Sequence, residues 1–193
     1  MAGRALEGEN TRKRLLDEGL SLFSARGHAG VSVRDLTGAA GANVAAIAYH
    51  FGNKDGLYKA IVDGVYAELA EALIVAPSAS AEMMRAAWAF AVGHRTGVRL
   101  LLRHFLDNGR HDDEVFDKWS ELLLNAAEAR VSVLRPEWAP VRRRVFLVAA
   151  MHLVVRLACE DRAQLGRMIG RSDDTDDVVE QWLVGWVQRE LGA

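Results

Sequence analysis

The sequence predicts an all-α chain, with an amino-terminal three-helix helix-turn-helix domain followed by a larger helical domain. Apolar residues recur at helical spacing almost throughout, and no stretch alternates as a half-buried strand would. Capping residues and glycines mark the breaks, most densely between Ser32 and Gly56. Half of the 193 residues are hydrophobic, which is enough to bury a sizeable core, yet no apolar run reaches membrane-spanning length.

Met1 to Asn10 is short, polar and rich in small residues, and reads as a mobile tail rather than a secretory signal. The expected division is therefore a tail over 1–10, the helix-turn-helix domain over 11–53, and the helical remainder over 54–193. Ser32 lies three residues before Asp35, so it can cap the first free amides of a helix while Asp35 reaches back. Val33, Leu36 and Ala40 follow at helical spacing. Gly41 stands where the chain must turn, and Asn43 is a good cap for the next helix. From Val44 to Tyr49 the side chains are small apart from Ile47, which should point inward. Ala45, Ala46 and Ala48 leave a slim outer surface suited to base edges and thymine methyls in a major groove. Asn53 caps again, and Lys54 opens the following helix with a charge within reach of a phosphate. Such a pair of helices can lay one in the groove while the other braces it. A helical core with ordinary caps is the other reading of the same pattern.

The pattern alone leaves both open, and what favours the first is a resemblance carried by the following residues. Thr11-Arg12-Lys13-Arg14-Leu15-Leu16, then Leu22-Phe23 with Gly27 and Gly30, precede Val31-Ser32-Val33-Arg34-Asp35-Leu36. The turn Ala40-Gly41-Ala42-Asn43 leads to Ile47-Ala48-Tyr49-His50-Phe51-Gly52-Asn53-Lys54-Asp55-Gly56-Leu57. Over about the first sixty residues this resembles the DNA-binding domain of the TetR family of transcriptional repressors. Val31 to Leu36 is similar to the family's "T-V-R-D-I" opening of the second helix, and Ile47 to Leu57 to its "LYYHFPSKEEL" tail. Ala48 departs from the pattern, standing where many members carry a tyrosine, and leaves operator preference open.

The resemblance implies roles for individual residues. Asn43, Ala45 and Ala46 take recognition-helix positions that face bases. Arg34, Tyr49, His50 and Lys54 match positions that hold phosphates, with Ser32 and Thr37 as helpers. Phosphate contacts position such a domain and base contacts carry the sequence information. Tyr49 has an alternative in packing against the first helix, and His50 in a local hydrogen bond. Arg12, Lys13 and Arg14 form either a solvated face or an edge near DNA. Charge is compatible with these roles without demanding them: the formal net charge is −2, while residues 1–60 hold eight Lys or Arg against six Asp or Glu. Nonspecific attraction to DNA should be modest, and much of the affinity should come from a dimer engaging two half-sites. The lone cysteine, Cys159, excludes an internal disulfide and fits a reducing cytoplasm.

Beyond Phe51 the pattern stays helical. Lys54 to about Val75 should be one long helix, ended by Pro77-Ser78-Ala79-Ser80. Ala81 to His94 and Gly97 to Asp107 follow, then a loop over Asp107–Asp113 and a helix from about Asp113 to Val133. Pro136 and Pro140 bracket a break. Val141 to Cys159 is apolar nearly all round after its start, which suggests burial on more than one side. Arg142-Arg143-Arg144 should face solvent or an acidic partner. The last helix opens with Asp173-Asp174-Thr175-Asp176-Asp177, whose acids favour a helix start. Trp182 and Trp186, one turn apart, share a face. Either a monomer buries them or, as the resemblance implies, two subunits meet there in a four-helix contact and read a pseudo-palindromic operator. Val148, His152, Val155, Val178, Val179, Trp182 and Trp186 are the expected interface, with a core histidine as the alternative for His152.

The middle helices should house an effector pocket. Its candidates are Trp88, Phe90, His94, Leu101 and His104, followed by Phe105, Trp119, Leu123 and Met151, though each could simply fill a core. The effector implied is small and hydrophobic or amphipathic. No metal or cofactor is expected. His104, Asp107, His111 and Asp112 lie close in sequence, but their spacing fits no metal motif, and no catalytic constellation is present. The expected function is a homodimeric, ligand-responsive regulator that binds an operator in double-stranded DNA, most simply as a repressor, with no membrane partner. The alternative is a helical protein-interaction module without specific DNA binding.

Overall fold

The computed structural model describes residues 2–75, 80–107, 114–170 and 175–191. These residues form ten helices and short connections, with no strand among them. The helices are α1 (Ala2–Arg26), α2 (Val33–Ala39), α3 (Val44–Phe51), α4 (Lys54–Val75) and α5 (Ser80–Gly93). They continue with α6 (Arg95–Asp107), α7 (Glu114–Leu134), α8 (Pro140–Cys159), α9 (Arg162–Ile169) and α10 (Thr175–Leu191). Most boundaries lie within two residues of the sequence expectation. Residues 76–79, 108–113 and 171–174, where a break, a loop and part of an acidic helix start are expected, lie outside the described residues.

Two elements differ from the expectation. The first helix already begins at Ala2, where a mobile tail is expected over 1–10. Nothing in Met1–Asn10 breaks a helix strongly: it holds no proline, and its glycines cost only about 1 kcal/mol each relative to alanine. The second difference is α9, which the sequence reading passes over. Its Asp161 caps the Gln164 amide, and Gly170 closes it in a left-handed conformation with φ 72°.

The chain divides into two compact units, residues 1–66 with 99–115, and residues 67–98 with 116–193. The first unit thus continues past the expected boundary at 53, because the early turns of α4 belong to its core. Leu57, Tyr58, Ile61 and Val62 are buried, as are Leu15, Phe23, Leu36 and Ile47. Gly19 on α1 brings the two helices so close that an added Cβ would lie 2.7 Å from Ile61 Cδ1.

In the second unit α5 packs on α10 and α8. Trp88 is 2% exposed, and its indole N–H donates to the Asp176 carbonyl over 3.1 Å. The Asp176 carboxylate receives Arg95 from the start of α6 at 2.8 Å. Arg162 from the start of α9 lies 2.7 Å away through Nε, an ion contact in which the N–H is not aimed at the oxygen. The Arg162 guanidinium also stands 5.5 Å over the Trp88 ring. Burial pulls its pKa below the ordinary arginine value, against the opposing pull of Asp176.

Trp88→Ala removes a large buried ring and leaves the Asp176 carbonyl without its indole donor. It should cost about 3–5 kcal/mol of stability, and Trp88→Phe should cost less. Urea unfolding followed by circular dichroism measures both.

Candidate nucleic-acid interface

The predicted capping box at α2 is complete. Ser32 Oγ accepts from the Asp35 amide at 3.1 Å, and the Asp35 carboxylate accepts from the Ser32 amide at 2.9 Å. Ser32 Oγ–H is also 2.7 Å from the same carboxylate oxygen. These bonds, the side-chain hydrogen bond to Ser32 foremost, hold the Asp35 carboxyl below its ordinary pKa. Arg26 adds a looser, largely exposed ion contact at 3.7 Å. At the turn, Gly41 takes φ 58°, a left-handed conformation that side-chain-bearing residues resist. Asn43 then caps α3, its Oδ1 accepting from the Ala46 amide at 2.9 Å. Gly52 ends α3 at φ 78°.

Only one side of α3 packs inward. Ile47 is 2% exposed, whereas Tyr49 is 83% and Val44 58% exposed. Ala45 and Ala48 are exposed and lie between them. The His50 ring is half-buried and meets the Tyr49 ring edge-on at 4.8 Å. Tyr49 therefore does not pack against α1. Val44, not among the expected site residues, also belongs to this outer face, since its place directly after the Asn43 cap puts it in the first turn beside Ala45.

Several polar groups expected at phosphates have structural bonds within the fold. Thr37 is 4% exposed and its hydroxyl donates to the Val33 carbonyl at 3.0 Å, so it faces the core rather than a ligand. Lys54 Nζ donates to the carbonyls of His28 and Val31 at 3.0 and 3.1 Å, clamping the loop that leads into α2. Two of its three N–H donors are thus engaged, which leaves its charge and one donor for a phosphate. His28 lies 2.8 Å from Asp55 on the same clamp. The basic cluster midway along α1 acts similarly: Arg14 Nε donates to the Ala40 carbonyl at 2.9 Å, and Arg12 stands 5.3 Å over the Phe51 ring. Ser32 is exposed, but its hydroxyl serves the cap. Arg34 remains exposed on α2.

The residues assigned to a pocket fall in both units. Leu101 and His104 belong to the first unit, where buried His104 Nδ1 lies 3.2 Å from the Tyr58 hydroxyl. Trp88, Phe90, His94, Trp119, Leu123 and Met151 belong to the second. Trp88 and Phe90 are two residues apart on one helix and so project to opposite sides. Exposed His94 stacks on Phe90 at 4.4 Å, with its Nδ1 3.1 Å from that residue's carbonyl. Trp119 is buried, with the Lys118 ammonium 4.6 Å over its ring, while Leu123 and Met151 are half-buried. The side chain of Phe105 lies outside the described residues, as do His111 and Asp112. Among the described residues no group of three or more His, Cys, Asp or Glu could hold a metal, and no helix is long and apolar enough to cross a membrane.

The expected interface residues fall on outward faces of α8 and α10, with one exception. His152 and Trp182 are exposed, and Val148, Val155, Val178 and Trp186 are half-buried. Val179 is only 6% exposed and faces its own unit, because one residue of helix turns it about 100° from Val178. The three adjacent arginines of α8 have partners within the chain. Arg142 stands 4.2 Å over Trp138, Arg143 donates to the Pro136 carbonyl at 3.2 Å, and Arg144 meets Glu128 at 2.7 Å.

A helix-turn-helix with this outer face is matched, over residues 15–61, by the profile of the bacterial regulatory proteins of the tetR family. Residues 15–61 thus match the tetR family's DNA-binding domain. The HTH-type transcriptional repressor NicS of Pseudomonas putida is 27% identical over 140 residues, an alignment covering 69% of this chain and 64% of NicS. The chain therefore spans less than two thirds of that relative's length. Two solved structures share the fold. SCO4942 of Streptomyces coelicolor superposes with a TM-score of 0.73 at 16% identity, covering 93% of this chain and 97% of its own. The multidrug binding protein EbrR, solved with imidazole, gives a TM-score of 0.59 at 19% identity over 92% of this chain and 93% of its own. The tetR family and this relative are transcriptional regulators rather than enzymes.

Because Asp35 has a depressed pKa, its contribution to the α2 cap is complete above the ordinary value of 3.8 and is lost only as pH falls through the lower folded value. Ser32→Ala removes the largest cause of that depression. The carboxyl midpoint of Asp35, followed by carbon NMR, should then rise toward its ordinary value.

Proposed function

We propose that this chain is a tetR-family regulator that binds a pseudo-palindromic operator in double-stranded DNA as a homodimer, represses transcription there, and is released by a small hydrophobic effector. The observation that carries this reading is α3. It is held from behind by Ile47, capped at both ends, and presents Val44, Ala45, Ala48 and Tyr49 to solvent. A helix so placed can enter a major groove while α2 braces it, with Arg34 directed to the backbone.

The homodimer reading is supported by the outer faces of α8 and α10. Val141 and Val145 are 74% and 63% exposed on α8, in line with Val148, His152 and Val155 at helical spacing. Trp182 is 50% exposed on α10 and stacks on Trp186 at 6.5 Å, and Phe146 of α8 touches Trp186 at 5.2 Å. The two helices thus present adjoining apolar stripes of the kind that a two-fold contact covers. A pseudo-palindromic operator read by two such heads would have its half-sites about 34–36 Å apart, one turn of DNA. The effector class is supported by EbrR, which has been solved with malachite green as well as imidazole. Half-buried Leu123 and Met151 are the pocket candidates retained in the second unit. Ligand release requires that the effector bind the DNA-free arrangement more tightly than the DNA-bound one.

Selection of genomic fragments by the purified chain at near-physiological salt should enrich a shared inverted repeat. A folded chain that binds duplexes weakly and without preference would instead be an interaction module. Trp182→Ser should leave the melting temperature of the monomer nearly unchanged and shift the chain from dimer to monomer in analytical ultracentrifugation. A dimer unaffected by this change would move the interface elsewhere.

A further inference from the structure

The outer arc of α3 is short of hydrogen-bonding groups. From Val44 to Phe51 the helix contains no Arg, Lys, Asn, Gln, Asp or Glu. Its exposed residues are Val44, Ala45, Ala48 and Tyr49, of which only Tyr49 ends in a polar group. Asn43, just before it, already commits Oδ1 to the Ala46 amide. The paired bonds by which an asparagine reads adenine therefore start from an oxygen in use, and the arginine or lysine that reads guanine is missing from the helix.

An arc of this kind recognises shape and apolar surface. A guanine edge placed against Val44 or Ala45 would lose water from its two acceptors and gain no donor. A thymine placed there would bury its C5-methyl group against the valine methyls. Val44 is β-branched, so its side chain is nearly fixed in one rotamer on a helix and needs little further ordering to make that contact. Ala45 and Ala48 let the helix approach closely. Ala48, the departure from the family's pattern, removes a second aromatic ring that would hold the helix away.

We propose that this chain reads its operator chiefly through the C5-methyl groups of thymine in the major groove, with Val44 as the specificity-determining residue. The inference rests on the operator reading above and adds to it the class of base recognised.

The test uses the full-length protein and two random duplex libraries at one fixed salt concentration. They are identical except that deoxyuridine replaces thymidine throughout one of them. The thymidine library should yield an inverted repeat with thymines at fixed positions in each half, and the uridine library should lose it. In the recovered duplex, uridine at the contacted position should weaken binding about fourfold per methyl removed, and more than tenfold when both halves are changed. Val44→Ala, at an exposed helix start, should keep the dimer and the melting temperature while reducing the thymine-to-uridine ratio toward one. Equal binding of thymine and uridine duplexes with specificity retained would overturn the methyl reading and leave operator binding standing. An unchanged ratio in Val44→Ala would overturn the assignment to Val44. Enrichment of no sequence from the thymidine library would overturn the operator reading, and this inference with it.

Discussion

An eight-residue helix does not hold itself together in water, since nucleating it costs more than so few bonds return. The head of this protein is organised around that constraint, because α3 has eight residues. Its support is borrowed. Asn43 caps the start, Gly52 turns the chain out at the end, Ile47 anchors the inner side, and Arg12 covers Phe51. The neighbouring α2 has seven residues and is held in the same way, by the Ser32–Asp35 box at one end and Arg14 on the Ala40 carbonyl at the other. All of this support comes from behind or from the ends, which leaves the outer arc of α3 without structural duties.

The second unit solves a related problem with one residue. Asp176, in the first turn of α10, accepts Trp88 through its carbonyl and meets Arg95 and Arg162 through its carboxylate. The starts of α6, α9 and α10 are thereby fixed to one another and to α5. The acid also lies at the positive end of α10, where its charge is favoured. Ion pairs in such a place give limited net stability, because desolvation offsets much of the attraction. What they give is geometry. Six residues of helix separate Asp176 from Trp182, which turns the tryptophan away from this junction and toward solvent.

The fold was largely legible because each helix carries its own start and stop signals. The Lys54–Val75 helix was placed to the residue, and the capping box, the Gly41 turn and the Asn43 cap were read from spacing alone. The short α9 carries such signals too, since Asp161 and Gly170 bracket it at the usual distance. Side-chain duties were less legible. Thr37 and Lys54 look from sequence like surface groups suited to a phosphate, and only packing shows that one bonds its own helix and the other a loop more than twenty residues away. Trp88 and Phe90 could be grouped by aromatic character, but a helix sends residues two apart in opposite directions. Composition shows what a side chain can do, whereas its neighbours decide which of those things it does.

The same division bears on how the head meets DNA. Its sixty residues carry only two more cations than anions, and of those cations Arg12, Arg14, Arg26 and Lys54 already have partners in the fold. Only Arg26 among them faces a carboxylate, so it is the small net excess of positive charge that makes the nonspecific attraction of one head weak in the proposed complex. Affinity must come from elsewhere, namely from close apolar contact along α3 and from joining two heads in one dimer. Weak nonspecific attraction has a compensating effect, because it narrows the competition from the many wrong sites that a genome offers. A head with so small an excess of positive charge gains selectivity from that restraint.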